Sequence, residues 1–190
     1  MSEIILKIEG PFALAGSKSI FKIAESDLSG LYIFAFKSED KYLIEYLGIT
    51  TRDFKTRFLE HIRELLSGGY QLYDFHKLKN NKPFIIWKGR YGKDTDNIAD
   101  FLDNYSHFSQ IIKNHIQEYK IFLIPLKAEK RTLERIEAGI YKILRKQNNE
   151  QIMAFIKGVK FVSKREKEDP ITVRIDSDNS FSKIPDKFEV

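Results

Sequence analysis

Two short runs rich in aromatic and aliphatic residues, 31–37 and 42–47, flank the polar segment 38–41. Apolar runs of this length between polar turn residues are typical of β-strands. The pattern therefore predicts an antiparallel hairpin with a loop of about four residues. Alternate residues of a strand share a face, so we expect three residues to lie together on each strand. These are Tyr32, Phe34 and Phe36 on the first strand, and Tyr42, Ile44 and Tyr46 on the second.

Apolar residues then recur at helical spacing over residues 54–66, which predicts an amphipathic helix. Thr50 or Thr51 can cap its first turn. At about 100° per residue, Arg57 and His61 fall along one border of the apolar stripe. We therefore expect both side chains at the edge of the core, where they can lean into a cleft.

The rest of the chain alternates between predicted strands and helices. The apolar run 121–126 predicts a central buried strand, and Pro125 should lie at its end. The other predicted elements are a strand over 4–8, a strand over 83–88, a helix over 97–119, a helix over 129–147 and an edge strand over 171–175.

Glu137 interrupts the apolar stripe of the helix predicted over 129–147. On a helical wheel it lies between Leu144 and Tyr141, inside or at the edge of the core-facing surface. A carboxylate there costs several kcal/mol in desolvation unless it is paired or binds a cation. One interpretation is a salt bridge or a solvated boundary position. The other is a single-carboxylate ligand for Mg²⁺, which takes one or two protein carboxylates and keeps several waters.

Composition narrows the classes of function. A chain of 190 residues is long enough for one domain with a real core. The absence of cysteine excludes a disulfide scaffold, a thiolate zinc site and a cysteine nucleophile. The net charge of +5 and the 15 Phe and 9 Tyr are compatible with a protein that contacts phosphates, although many proteins of this charge bind no nucleic acid. We expect a soluble, cytoplasmic protein with no membrane partner, because the sequence has no basic leader and no apolar run of membrane-spanning length.

Several separate residues, taken in order, resemble the motifs of one known family. The triplets Gly30-Leu31-Tyr32 and Tyr46-Leu47-Gly48 are followed by an arginine and a histidine four residues apart. This order, over 30–66 and 120–149, resembles the GIY-YIG endonuclease superfamily, with leucine in place of the usual isoleucine in both triplets. The matching positions are Gly30, Tyr32, Tyr46, Gly48, Thr50, Arg57, His61, Glu137 and Asn149.

The resemblance implies a hydrolase that cleaves phosphodiester bonds in DNA with one Mg²⁺ (or Mn²⁺). It implies that Glu137 binds the metal and that Arg57 contacts the non-bridging phosphate oxygens. Tyr32 and Tyr46 would share a cleft, in which Tyr32 helps to orient the attacking water and His61 positions water or phosphate. Gly30, Gly48 and Asn149 would be structural residues near the site. The implied fold is α+β, a small antiparallel sheet with three central strands flanked by helices.

The chain also departs from the family pattern. Its hairpin is longer than usual, and residues 70–119 stand where simpler members have a short connection. We therefore expect an N-terminal extension over 1–29, a nuclease-like domain over 30–149 with an insertion at about 70–119, and a C-terminal extension over 150–190.

Basic residues lie among aromatic residues in this insertion, a mixture that suits phosphate contact and base stacking. Lys88 and Arg90 are the predicted substrate-binding residues, and a plain structural excursion is the alternative. At the level of the whole protein, we expect a restriction, defence or mobile-element endonuclease, which could cut both strands as a homodimer. The alternatives are a non-catalytic nucleic-acid-binding protein on the same fold and a nuclease subunit of a repair complex.

Overall fold

The computed structural model describes residues 2–74, 77, 84–90, 97–146, 162–179, 181 and 184–190. Strands and helices are interspersed along the chain, with two short 3₁₀ helices before the hairpin. The strands are β1 (Ser2–Lys7), β2 (Glu9–Phe12), β3 (Gly30–Ser38), β4 (Lys41–Thr50), β5 (Leu72–Tyr73), β6 (Ile85–Trp87), β7 (Lys120–Pro125), β8 (Ile171–Asp176) and β9 (Lys187–Glu189). The helices are α1 (Phe54–Leu66), α2 (Asn97–Asp103), α3 (Tyr105–Glu118) and α4 (Lys130–Lys146).

The central sheet has four antiparallel strands in the order β2-β7-β3-β4. The predicted hairpin forms β3 and β4, and the predicted buried strand forms β7 with Pro125 as its last residue. The α+β class and the antiparallel sheet are therefore confirmed. The sheet has one strand more than the three expected, because β2 from the N-terminal segment pairs with β7.

A β-bulge in β4 changes which side chains share a face. Ala35 pairs with Ile44 and Phe34 pairs with Tyr46, so Glu45 is the extra residue. One extra residue reverses the alternation beyond it. Tyr46 therefore does not share a face with Tyr42 and Ile44, as strict alternation predicted, but joins the face of Tyr32 and Phe34.

The two faces of the central sheet pack against different helices. One face, with Leu31, Ile33 and Leu47, forms a core with α4 and with the second sheet, whose order is β1-β8-β9. The other face, with Tyr32 and Phe34, forms a second core with the helices α1, α2 and α3. We call the face of the central sheet that packs against α1 the α1 side, and the face that packs against α4 the α4 side.

Three sequence predictions of local structure are corrected. The helix predicted over 97–119 is two helices, α2 and α3, joined at Asn104. Asp53, not a threonine, caps α1, because its carboxylate accepts a hydrogen bond from the Thr56 amide at 2.7 Å. The predicted edge strand near the C-terminus, β8, lies in the middle of its sheet, parallel to β1 and antiparallel to β9.

Of the helices in the described ranges, none is both long enough and apolar enough to cross a lipid bilayer.

Candidate functional site

The hydroxyl of Tyr32 is the centre of a buried hydrogen-bond network. Tyr32 lies on β3 with its side chain fully buried. Arg57 donates from Nε to this hydroxyl at 3.0 Å, and His61 Nε2 lies 2.8 Å from it. Two of the residues singled out on the first predicted helix therefore meet the tyrosine of the first triplet.

The packing of α1 explains this convergence. Phe54 and Phe58 are fully buried, and their rings pack edge-on against the Tyr32 ring at centroid distances of 6.4 and 5.2 Å. Residues three or four apart lie on one side of a helix. Anchoring the two phenylalanines against Tyr32 thus carries Arg57 and His61 to the same ring.

Burial keeps both Tyr32 and His61 neutral at pH 7. It raises the pKa of Tyr32 well above its usual value, an effect that nearby Tyr46 increases and Arg57 opposes. Burial and, secondarily, the Arg57 charge lower the pKa of His61 to about 3. The network therefore consists of one cation, a neutral phenol and a neutral imidazole, which has one N–H and one lone pair.

Arg57 connects this buried network to the protein surface. Its Nη1 donates to Glu60 at 2.8 Å, and its side chain is 30% exposed. Glu60 also accepts from Arg52 on the exposed side. Arg57 is thus the cation that both touches Tyr32 and reaches solvent.

Tyr46 and Gly48 complete the α1 side of the site. Tyr46 is half-buried, with its ring 6.0 Å from the Tyr32 ring and 5.7 Å from the His61 ring. Gly48 pairs with Tyr32 across the hairpin. A Cβ at Gly48 would lie 2.5 Å from Cζ and Oη of Tyr32 and 2.7 Å from Tyr46. The second triplet therefore needs glycine to make room for two tyrosine rings.

Gly30, at the start of β3, is required for a different reason. Its φ is +147°, and a Cβ would lie 2.2 Å from the Ile124 carbonyl oxygen. Only glycine allows β3 and β7 to approach this closely at that point. Gly30 therefore fixes the strand that carries Tyr32.

Glu137 lies on the α4 side of the central sheet, away from α1. It is half-buried, and none of the described residues forms a hydrogen bond or an ion pair with its carboxylate. Burial, with a smaller contribution from the Glu134 charge, raises its pKa to about 7. The salt bridge that the sequence allowed as one interpretation of Glu137 is therefore not formed with any described residue.

Tyr141 connects α4 with the edge of the hairpin. It follows Glu137 by one helical turn, and its hydroxyl bonds both the amide and the carbonyl of Leu47 at 2.9 and 2.7 Å. Leu47 lies between Tyr46 and Gly48 on the edge strand β4. Burial raises the pKa of Tyr141, the bond from the Leu47 amide lowers it, and the charges of Tyr46 and Glu137 both raise it further. The α4 helix, which carries Glu137, therefore contacts β4 from the face of the sheet opposite to that of Tyr32 and α1.

The residues around Glu137 are compatible with a weakly coordinated hard cation. A half-buried carboxylate is destabilised when ionised unless a counter-charge lies beside it, and a cation would remove that penalty. Mg²⁺ accepts one protein carboxylate and several waters. No group of three or more His, Asp or Glu side chains within the described ranges is arranged to hold a metal ion, so the fit depends on Glu137 with water as the other ligands.

Within the described residues, Lys88 and Arg90 form no hydrogen bond with Tyr32, Arg57 or His61. Lys88 is exposed at the end of β6. Arg90 is half-buried, with Nη2 3.4 Å from the Ser67 hydroxyl. Asn149 lies outside the described residues.

Three residues of the site were missed in the sequence. Glu60 holds Arg57, and the Tyr70 hydroxyl lies 2.7 Å from His61 Nδ1. Glu45, the bulge residue, accepts a hydrogen bond from Tyr119 at 2.9 Å. The spacing of Glu60 three residues after Arg57 is the one signal that could have been found, since i,i+3 pairs of opposite charge meet on a helix.

Comparisons of the chain with protein-family models, with curated proteins and with solved structures found no match.

Proposed function

We propose that this protein is a metal-dependent endonuclease of the GIY-YIG type, which hydrolyses phosphodiester bonds in DNA. The observation that carries the proposal is the convergence of Arg57 and His61 on the hydroxyl of Tyr32. These residues come from separate parts of the sequence and belong to the motif set on which the resemblance depends. A fixed arginine beside tyrosines and a neutral histidine suits a reaction in which charge develops on phosphate oxygens.

Arg57 is the residue best placed to contact the phosphate. Its Nε is fixed by Tyr32 and its Nη1 by Glu60, which leaves the partly exposed end of the guanidinium for non-bridging oxygens. Donors that are already oriented need little reorganisation when charge develops in the transition state. Glu60 and Tyr32 therefore orient Arg57 for this contact.

Tyr46 is the tyrosine that can reach the attacking water. Tyr32 is fully buried, whereas Tyr46 is half-buried beside it. We assign Tyr46 to orient the water and Tyr32 to hold Arg57 and His61. When bound at Glu137, Mg²⁺ or Mn²⁺ would polarise the scissile phosphate and stabilise the leaving 3′ oxygen.

A non-catalytic nucleic-acid-binding protein on the same fold is the second candidate, and one observation favours it. The Tyr32 hydroxyl is fully buried and bonded within the protein, so the network also suits a purely structural role. Such a protein would bind DNA and leave it intact.

Cleavage of supercoiled plasmid in the presence of Mg²⁺ tests the proposal. We expect nicking by the wild type, and a loss of about 100-fold or more in Arg57→Ala, the scale for removing a donor to a developing oxyanion. Arg63→Ala is the matched control, because Arg63 is exposed on the same helix. Circular dichroism checks that each variant folds.

Two results would contradict this assignment. Plasmid that is bound but never cut by the wild type would favour the non-catalytic candidate. Equal cleavage by the wild type and folded Arg57→Ala would remove Arg57 from the site.

The metal assignment has a test that does not need activity. At pH 8, Mg²⁺ should raise the melting temperature of the wild type, because a ligand that binds only the folded state stabilises it. The increase should be lost in Glu137→Gln and kept in Glu129→Gln, which changes an exposed carboxylate just before the same helix. An equal increase in all three proteins would show that Glu137 does not bind the metal.

A further inference from the structure

Tyr70 is a site residue that the family resemblance does not include. It follows Gly68 and Gly69, where the chain leaves α1 with a φ of +71° at Gly68. The Trp87 indole donates to the Gly68 carbonyl at 2.7 Å, which ties this turn to β6. The turn returns the Tyr70 hydroxyl to within 2.7 Å of His61 Nδ1, with ring centroids 5.7 Å apart.

Both ring nitrogens of His61 thus have a tyrosine hydroxyl as a neighbour. Nε2 faces Tyr32, and Nδ1 faces Tyr70. A neutral imidazole has only one N–H, so one of these contacts uses the ring proton and the other uses the lone pair. Which nitrogen carries the proton decides the direction of every bond in the network.

Arg57 favours a lone pair on Nε2. Its guanidinium only donates, and its Nε bonds the hydroxyl oxygen that Nε2 faces. A lone pair on the side of a cation is electrostatically favoured over an N–H on that side. The Tyr32 hydroxyl can then donate its proton to Nε2, while its oxygen accepts the hydrogen bond from Arg57 Nε.

We propose that Tyr70 is a positioning residue, which accepts a hydrogen bond from His61 Nδ1–H and so holds His61 in the tautomer that accepts from Tyr32. The bonds then run from Arg57 to Tyr32, from Tyr32 to His61, and from His61 to Tyr70. In the opposite tautomer, Nε2–H and Arg57 Nε–H would both point at the Tyr32 oxygen, and the Tyr32 proton would lose Nε2 as its acceptor. Tyr70 therefore orients Arg57 through two intervening side chains.

The consequence for catalysis rests on the proposed nuclease function. If Arg57 contacts the phosphate, loss of the Tyr70 hydroxyl should loosen the guanidinium and lower kcat, while KM changes little. We expect a decrease of about 10-fold, the lower end of the range for groups that orient a metal-bound histidine. Tyr73→Phe is the control. It removes a hydroxyl from the same segment, but that hydroxyl donates to Gln71 and not to His61.

The tautomer of His61 can be measured whether or not the protein cuts DNA. The chain has four histidines, so ¹⁵N-detected imidazole spectra are simple, and His61→Gln assigns the His61 signals. At pH 7 we expect Nδ1 protonated in the wild type and in Tyr73→Phe. In Tyr70→Phe we expect a mixture of tautomers or protonated Nε2.

The outcomes separate this proposal from the nuclease proposal. Protonated Nε2 in the wild type, or an unchanged tautomer in Tyr70→Phe, would overturn the role of Tyr70. If Tyr70→Phe does not fold, a nuclear Overhauser contact between the Nδ1 proton and the Tyr70 ring in the wild type supports the role, and its absence overturns it. If the tautomers are as predicted but the protein does not cleave DNA, the role of Tyr70 stands and only the nuclease function is rejected.

Discussion

At the scale of the residue, the space around Tyr32 is the most tightly determined feature of the site. The ring cannot move aside easily, because it is fully buried and its hydroxyl contacts Arg57 and His61. Gly48→Ala would place a Cβ 2.5 Å from it. We predict a loss of about 1–3 kcal/mol in the free energy of unfolding, the usual cost of overpacking, measured by urea denaturation.

A double-mutant cycle identifies the cause of that loss. In a Tyr32→Leu background one of the two crowding rings is absent, so Gly48→Ala should cost less than in the wild type. Equal costs in both backgrounds would mean that the glycine is needed for a reason other than the Tyr32 ring.

At the scale of the element, β4 is the edge strand of the central sheet, and Leu47 on it is buried. Edge strands leave every second N–H and C=O unpaired, and Tyr141 satisfies both groups of Leu47 with one hydroxyl. Tyr141→Phe should destabilise the protein by about 1–3 kcal/mol, because the buried groups lose their partner. Hydrogen exchange should also become faster at the Leu47 amide.

Tyr42→Phe is the matched control for this prediction. Tyr42 packs against the same core, and its ring lies 4.8 Å from that of Phe122. Its replacement should leave exchange at Leu47 unchanged. If Tyr141→Phe also leaves that exchange unchanged, the hydroxyl does not protect the edge.

At the scale of the whole molecule, two buried histidines and two half-buried glutamates make stability depend on pH in opposite directions. Burial lowers the pKa of His61 to about 3 and that of His115 to about 4, so their unfolded forms bind more protons below pH 6.5. Burial raises the pKa of Glu137 to about 7 and that of Glu45 to about 8, the latter opposed by a bond from Tyr119. Above pH 4.5, the usual pKa of glutamate, these two carboxyl groups therefore hold more protons in the folded protein than in the unfolded chain.

Linkage gives the sign of each effect. Each histidine lowers the free energy of unfolding as the pH falls below 6.5. Each of the two carboxylates lowers it as the pH rises above 4.5. The change is about 1.4 kcal/mol per group and per pH unit. Between pH 4.5 and pH 6.5 the effects of the two histidines and of the two carboxylates cancel. We predict a plateau of stability from pH 4.5 to 6.5, with a decrease on the order of 1–2 kcal/mol by pH 8, measured by urea denaturation.

Variants of the carboxylates test the alkaline decrease. Glu45→Gln and Glu137→Gln should each reduce it, whereas Glu129→Gln, at an exposed site, should not. A wild-type protein as stable at pH 8 as at pH 6 would contradict the assignment of both carboxylates.

Local patterns in the sequence were enough to predict several elements and part of the site. Periodicity predicted the hairpin, α1, β7 and α4, because burial of one face imposes a period of two on strands and of 3.6 on helices. It also placed Arg57 and His61 on one side of α1, since their spacing is a property of any helix.

The way in which these elements meet depends on contacts between distant parts of the chain. The bulge at Glu45 moves Tyr46 to the face of Tyr32, and the pairing of two strands decides where a bulge forms. Tyr70 reaches His61 through a turn that β6 holds in place. The α4 helix carries Glu137 to the opposite face of the sheet, and Tyr141 of the same helix reaches the edge of β4. Local periodicity contains no information about contacts between elements far apart in the chain, so these features depend on the folded molecule.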